Sequence, residues 1–411
     1  MGDIYTGIDL GTDSIKIVVS EKVNDKFQVL ASVSSPSRGI KNGFIDDTKL
    51  AVSSVKNAVS EINDSLGIKI NKVVACIPPS NAKMDIVMGT TNVIDYNEIT
   101  GVDVSNALLD AIKDQDFTHD ELVTAMPISF TVDEKANIKD PKGMKGSVLE
   151  TRVVISMVPK EPLYRILEVL KLSGLETVDI SFTSVGDYYS IKTRKYDELV
   201  GAIINIGEES TNISVFNKGI QIKNSVIPVG SVNVDKDITY VFRSKMSESR
   251  KIKENFAMAS IKYADSNDTW NIQIDKENTK EVNQLGISKV VEARVREILK
   301  LAKNEIKNLT NREIRYIIIT GGLSEIASFP IIVEQELGFV AKVCNTNIMG
   351  VRHNKFSSCY GITKYFDDKL SLRGKEYKMI DNEDIDTMLS IDSSITNESM
   401  LGKVFGHFFD S

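Results

Sequence analysis

Apolar residues at positions 50, 51, 55, 58, 59, 62 and 66 recur at the spacing of one helical face, and Gly67 ends the run, so a helix is predicted over Leu50 to Leu66. Ahead of it the pattern is that of strands. Tyr5 to Leu10 and Ile15 to Val19 flank a Gly11-Thr12-Asp13-Ser14 turn, and Phe27 to Ala31 forms a third run. Val73 to Ile77 reads as a short buried strand closed by Pro78-Pro79, since proline cannot continue a central ladder. This β-β-β-α-β order makes one half-domain. Between Met84 and Val158 the grammar changes to strands with one helix, Ser105 to Asp114, and a polar loop over Lys139 to Gly146, which reads as an inserted small α+β unit. Helices are predicted at Pro162 to Leu172 and around Val185 to Lys192. Strand-turn-strand then returns: Leu199 to Ile206, a turn over Gly207 to Asn212, Ile213 to Phe216, and a further run from Gly219 to Val229. A mostly helical stretch, Val234 to Asn308, precedes the strand Tyr316 to Thr320, and two copies of one pattern predict an internal duplication.

From Arg373 the periodicity fades. Ile380 to Glu398 carries Asp381, Glu383, Asp384, Asp386, Asp392 and Glu398 with no Lys or Arg, the composition of a solvated linker. Beyond it Met400, Leu401, Val404, Phe405, Phe408 and Phe409 share one side of a helix, with Gly402, Lys403, Gly406, His407 and Asp410 on the other. An apolar stripe with no downstream chain to pack against reads as an interfacial membrane helix.

Composition narrows the class. The 411 residues are 42% hydrophobic and 26% charged with a net charge of −7, an ordinary globular balance with no global attraction to nucleic acid. No stretch reaches the ~20 apolar residues of a spanning helix. The first residues enter a strand without the basic and apolar regions of an export signal, so a cytoplasmic protein is expected. The three cysteines and three histidines are scattered, which supports neither a disulfide framework nor a zinc site, and no nucleophile elbow is present.

The candidate chemistry lies in three glycine-bearing turns: Gly7 to Thr12, Asn205 to Thr211, and Ile319 to Ser324. Backbone N–H groups and hydroxyls of such turns can hold phosphate oxygens, and Asp9 is a candidate magnesium ligand through water. Each turn alone is also a plain hairpin. Together and in this order they resemble the actin, sugar-kinase and chaperone ATPase superfamily. Arg38 to Gly43, Met126 to Asp133, Ile138 to Gly146 with Leu149-Glu150, and Ala293 to Ile298 narrow the resemblance to the FtsA family of bacterial cell-division proteins, over essentially the whole chain.

The resemblance implies an α/β, actin-like pair of duplicated domains around a nucleotide cleft, with an FtsA-type inserted subdomain and a C-terminal amphipathic helix. The implied division is 1–83 and 163–198 for the first domain, to which a helix near 358–370 returns; 84–162 for the insertion; and 199–233 with 313–357 for the second domain. A helical subdomain at 234–312, an acidic linker at 371–397 and a membrane helix at 398–411 complete it. Nucleotide positions carried over are Asp9, Gly11, Thr12, Ser14 and Lys16; Asn205, Gly207, Glu208, Ser210, Thr211 and Asn212; Gly230; and Gly321, Gly322, Leu323 and Ser324, with ATP and Mg2+ as cofactors. Arg294 and Arg296, on a basic helix from Ser288 to Asn308, are the implied receptors of the acidic FtsZ tail, whereas lone Trp270 is expected to pack internally. Further implied partners are a self-polymer, membrane lipid and other division proteins at the cytoplasmic face of the septum.

The chain departs from the family where hydrolysis is decided. The second phosphate turn usually reads Asp-x-Gly-Gly-Gly-Thr; here Asn205 replaces the Asp and Glu208-Glu209 replace two glycines. Thr183-Ser184 stand where a Gln-Pro pair is common, and Leu323 takes a third glycine. Nucleotide is therefore expected to bind and to turn over weakly or not at all, since carboxylates repel phosphates. The alternatives are a small-molecule kinase of the same superfold and a pilus-assembly relative.

Overall fold

Strict alternation builds the first sheet. β1 (Asp3–Leu10) sends Ile4, Ile8 and Leu10 into one hydrophobic cluster and Tyr5 into another on the opposite face. The computed structural model describes residues 3–273 and 279–380. β1 runs antiparallel to β2 (Ser14–Val23), which pairs with β3 (Lys26–Pro36). A short ladder of β4 (Ile40–Lys41) and β5 (Phe44–Ile45) leads into α1 (Thr48–Leu66). The Asp47 carboxylate accepts from the N–H of Leu50 at its start, and Ala51, Val55, Ala58, Ile62 and Leu66 cover the Ile4 face of the sheet. β6 (Lys72–Ile77) then lies parallel to β1.

The insertion is a separate layer. β7 (Lys83–Asn92), α2 (Gly101–Ile112), β8 (Asp120–Val132), β9 (Lys135–Ile138) and β10 (Val148–Pro159) form a sheet of order β7-β10-β8-β9 with α2 packed on it. Its core holds Val104, Leu108, Phe130, Leu149 and Ile155. α2 starts earlier than the apolar spacing predicts because the Asp103 carboxylate accepts from the Thr100 N–H at 2.8 Å and fixes the entry there.

After α3 (Lys160–Leu172), β11 (Glu176–Phe182) completes the first sheet in the order β11-β6-β1-β2-β3, and α4 (Thr183–Ile191) follows. The second half opens with β12 (Val200–Ile206), β13 (Thr211–Asn217) and β14 (Ile220–Ile227). Then come α5 (Ser231–Phe242), α6 (Met246–Asn255), the hairpin β15 (Thr269–Gln273) and β16 (Thr279–Asn283), and α7 (Gln284–Leu309). β17 (Tyr316–Thr320), α8 (Phe329–Leu337) and β18 (Ala341–Val343) close a second sheet of order β14-β13-β12-β17-β18. Both sheets are three antiparallel strands continued by two parallel ones, so the duplication predicted from the pattern is present in the topology.

α9 (Ser357–Leu372) returns to the first half and packs on α4, β1 and β6. Its crossing with α4 needs glycine on both helices. A Cβ at Gly361 would come 1.7 Å from the Gly186 carbonyl oxygen, and one at Gly186 would come 2.3 Å from that of Ser358. This contact brings Asp187 and Ser358 between the two sheets.

One expectation is corrected. Residues 371–380, placed at the head of a flexible linker, are folded: α9 runs to Leu372, the Tyr377 ring lies 6.0 Å from Phe366, and Met379 and Ile380 are buried. The apolar side chains Tyr377, Met379 and Ile380, among the charged residues of this segment, decide this. The segment 234–312 is mostly helical, with the β15 and β16 pair between α6 and α7; there Trp270 packs on Phe256 and its Nε1–H donates to Glu248 at 2.8 Å. The linker residues from 381 on, and the stripe Met400, Leu401, Val404, Phe405, Phe408 and Phe409, lie outside the described residues. Among the described residues no helix is long and apolar enough to cross a membrane.

Candidate functional site

Equivalent hairpin turns lie at the ends of β1 and β12. In the first, the Gly11 N–H donates to the Ser14 carbonyl at 3.2 Å; in the second, the Gly207 N–H donates to the Ser210 carbonyl at 2.9 Å. The register matches as well, with Asp9 opposite Lys16 and Asn205 opposite Asn212. No described acceptor takes the N–H groups of Thr12 and Asp13, or of Glu208, Glu209 and Ser210. Unpaired turn amides of this kind form anion-binding concavities.

The side chains differ. Lys16 Nζ donates to Asp9 Oδ2 at 3.0 Å, with both side chains largely buried. Burial opposes the lysine charge, but Asp9 outweighs it and raises the Lys16 pKa above the usual value. Asp9, the expected magnesium ligand, is thus neutralised by a protein cation. Among the described residues no group of three or more His, Cys, Asp or Glu converges on a metal position; a magnesium ion held through water by Asp9 and a phosphate would need no such group. Thr12 Oγ1 accepts from the Gly43 N–H at 3.1 Å, and Ser14 is buried.

In the second turn, Asn205 Nδ2 donates to Asp187 Oδ2 at 2.7 Å. Asp187 lies on α4, and its other oxygen accepts from the Ser357 and Ser358 hydroxyls at 2.5 and 2.7 Å. Burial pushes its carboxyl up to about 6, against these three hydrogen bonds, which pull it down. An Asp at position 205 would face a second carboxylate, which explains the amide there. The Thr211 hydroxyl donates to the Val229 carbonyl at 2.7 Å and is turned away from any ligand, whereas Asn212 Oδ1 is buried with no partner. The N–H groups of Ser231 and Val232, at the start of α5, donate to the Gly207 and Glu208 carbonyls, with Gly230 buried between them and the turn.

The third turn abuts the second. Gly321 has φ 91°, and a Cβ on it would lie 2.3 Å from the Ile206 carbonyl oxygen and 2.8 Å from Asn205 Oδ1. Gly322 is exposed beside it, open for a ligand to approach. Two expectations fail here. The Leu323 side chain is buried in the second-half core and cannot face a ligand; the Ser324 hydroxyl is buried too, donating to the Gly321 carbonyl and accepting from Asn354.

Cations that the sequence reading missed stand beside the second turn, Arg250 partly exposed and Lys253 buried. Arg250 on α6 reaches Asp13 Oδ1 at 2.6 Å, Glu208, and Asp235 Oδ2 at 3.7 Å. Lys253 Nζ binds the Ser231 hydroxyl at 2.6 Å and Asp235. Burial raises the Glu208 pKa, while Arg250 and Lys253 pull it back. A signal existed: two glutamates in a phosphate turn demand a cation, and Arg250 and Lys253 share one face of a helix. Asp187 carried none, because its role depends on contacts with residues 205, 357 and 358.

Arg294 and Arg296 do not join this site. Arg294 forks onto Asp237 at 2.6 and 2.9 Å and reaches Glu297, while Arg296 binds Glu292, Glu336 and Gln335. Their donors are engaged inside the fold.

The family model for Cell division protein FtsA matches residues 202–361, and that for the SHS2 domain inserted in FTSA matches 80–157, together more than half of the chain. Cell division protein FtsA of Bacillus subtilis (strain 168) is 24% identical over 377 residues, 91% of this chain and 86% of the relative. That of Streptococcus pneumoniae serotype 2 is 25% identical over 88% of this chain and 79% of the relative. Among solved structures, the PilM-PilN type IV pilus biogenesis complex aligns with TM-score 0.59 at 13% identity, over 88% of this chain and 98% of that one. MreB 5 of Spiroplasma citri bound to AMPPNP aligns with TM-score 0.55 at 14% identity, over 90% and 97%. These structural likenesses establish the actin-like fold.

Proposed function

The chain belongs to the FtsA family of cell-division proteins, and on that premise we propose that it binds ATP in the cleft between its duplicated halves and polymerises on the membrane. There it tethers the FtsZ ring at the septum. The observation that carries the nucleotide reading is the pair of matched turns, whose five unpartnered amides and buried Asn212 Oδ1 offer a polyphosphate and its sugar ready partners. The MreB 5 neighbour, described as bound to AMPPNP, supports the same reading. When bound, ATP would supply the phosphate charge that the turn amides and Arg250 would hold. Before it arrives Asp9 is paired with Lys16 and Glu208 with Arg250. With Asn205 and two glutamates in the second turn, turnover is expected below about one per minute, against roughly 1–10³ per second for typical enzymes.

Membrane attachment rests on the apolar stripe Met400 to Phe409, at about 1.5–3 kcal/mol per fully buried large side chain before ordering costs. Polymerisation multiplies so weak a contact by avidity. For the FtsZ tail, Arg294 remains the proposed receptor, its tail carboxylate exchanging with Asp237. Electron microscopy on a lipid monolayer tests the whole reading. Filaments on lipid that require ATP support it; their absence under every nucleotide condition rejects it.

A further inference from the structure

The two glutamates that depart from the family turn link it to the first half, Glu209 directly and Glu208 through Arg250. Glu209 Oε2 accepts from the Asn42 N–H at 2.6 Å, in the loop between β4 and β5. Glu208 anchors Arg250, whose guanidinium extends to Asp13 in the β1–β2 turn. Asp13, Glu208 and Asp235 outnumber Arg250 and Lys253 in this cluster, so an incoming polyphosphate meets carboxylates as well as amides.

We propose that Asp13–Arg250–Glu208 is a clasp across the cleft, and that a polyphosphate enters by taking Arg250 from Glu208. The inference rests on the nucleotide reading above and adds a specificity-determining residue to it. Chemistry favours the exchange. A guanidinium forks onto phosphate as well as onto carboxylate, and the Arg250 side chain is 37% exposed, open to an incoming anion, while the Glu208 side chain is only 14% exposed. Glu208 is thus an internal anion in the place a phosphate would take. In this chain the changes that remove the glycines of the turn also install its competitor.

The test uses the full chain and a fluorescent ATP analogue, with inorganic triphosphate as a second probe. Glu208→Gln keeps the shape of the side chain but frees Arg250; it is expected to bind both probes about tenfold more tightly than the unmodified chain. Arg250→Ala is expected to bind them at least tenfold more weakly, and Arg250→Lys to recover part of the loss. Circular dichroism of each variant checks that it is folded. If the unmodified chain binds and Glu208→Gln binds no better, the clasp is overturned while the nucleotide reading stands. If neither the unmodified chain nor Glu208→Gln binds either probe at millimolar concentration, both fall.

Discussion

The two hairpin turns are copies in backbone and differ in how their charges are placed. Each closes with a glycine N–H donated to a serine carbonyl three residues on, and each places a residue pair in register at its base. In the first, that pair is an ion pair, Asp9 with Lys16, complete within the hairpin. In the second it is Asn205 with Asn212, and the nearby carboxylate comes from Asp187 on another helix. Duplication preserves what the main chain needs, because the turn geometry admits few alternatives. Charge is under no such constraint: it can move to any neighbour that reaches the same point.

The comparison breaks most readily at position 205. Asn205→Asp restores the residue usual in the family but sets two carboxylates against each other in a buried place. A loss of about 3–5 kcal/mol in urea denaturation is expected, the scale of an uncompensated buried charge. The double variant Asn205→Asp with Asp187→Asn should recover most of it, and a fully stable single variant would show that Asp187 does not set this position.

Next in size is the pH dependence of Asp187. Its folded pKa, about 6, lies above that of the unfolded chain, so the folded state holds the proton more tightly. Its stabilising contribution is complete below about pH 4 and is lost as pH rises through about 6, amounting to about 2–3 kcal/mol. Asp187→Asn should flatten that component between pH 4 and 7, since the amide can still accept from Asn205 and donate to the serines. Denaturation curves at the two pH values, compared between chains, measure it.

The smallest effects separate the matched positions 16 and 212. Lys16→Met leaves Asp9 buried beside no cation and is expected to cost about 2 kcal/mol. Asn212→Leu should cost less than about 1 kcal/mol, because Asn212 Oδ1 has no partner to lose. Equal losses at the two positions would mean that the turns are not as different as their charges indicate.

The fold was legible where periodicity is strong. The apolar stripe over 50–66 gave α1, and two strand-turn-strand runs gave the duplicated sheets. The glycine turns were legible as well, since Gly7, Gly11 and Gly321 lie where an added Cβ would clash. Leu323 misled because a residue beside a ligand turn can point inward, and only the packing of the second core fixes which way it goes. Arg250 was hidden because it lies more than 200 positions from Asp13, and no local pattern links an α6 cation to a β1–β2 turn. The stretch 373–380 read as linker because its polar composition outweighed Tyr377 and Met379, which pack against β1 and α9, and Ile380, which enters the first-half core.

The sequence by itself determined the family, the duplicated α/β architecture and the turns that form the candidate cleft, because local propensity and glycine spacing are written along the chain. Only the tertiary structure decided the electrostatics of that cleft. Which carboxylate meets Asn205, and which cation meets Glu208, are contacts between segments far apart in the chain, and their energies depend on burial that no linear pattern records.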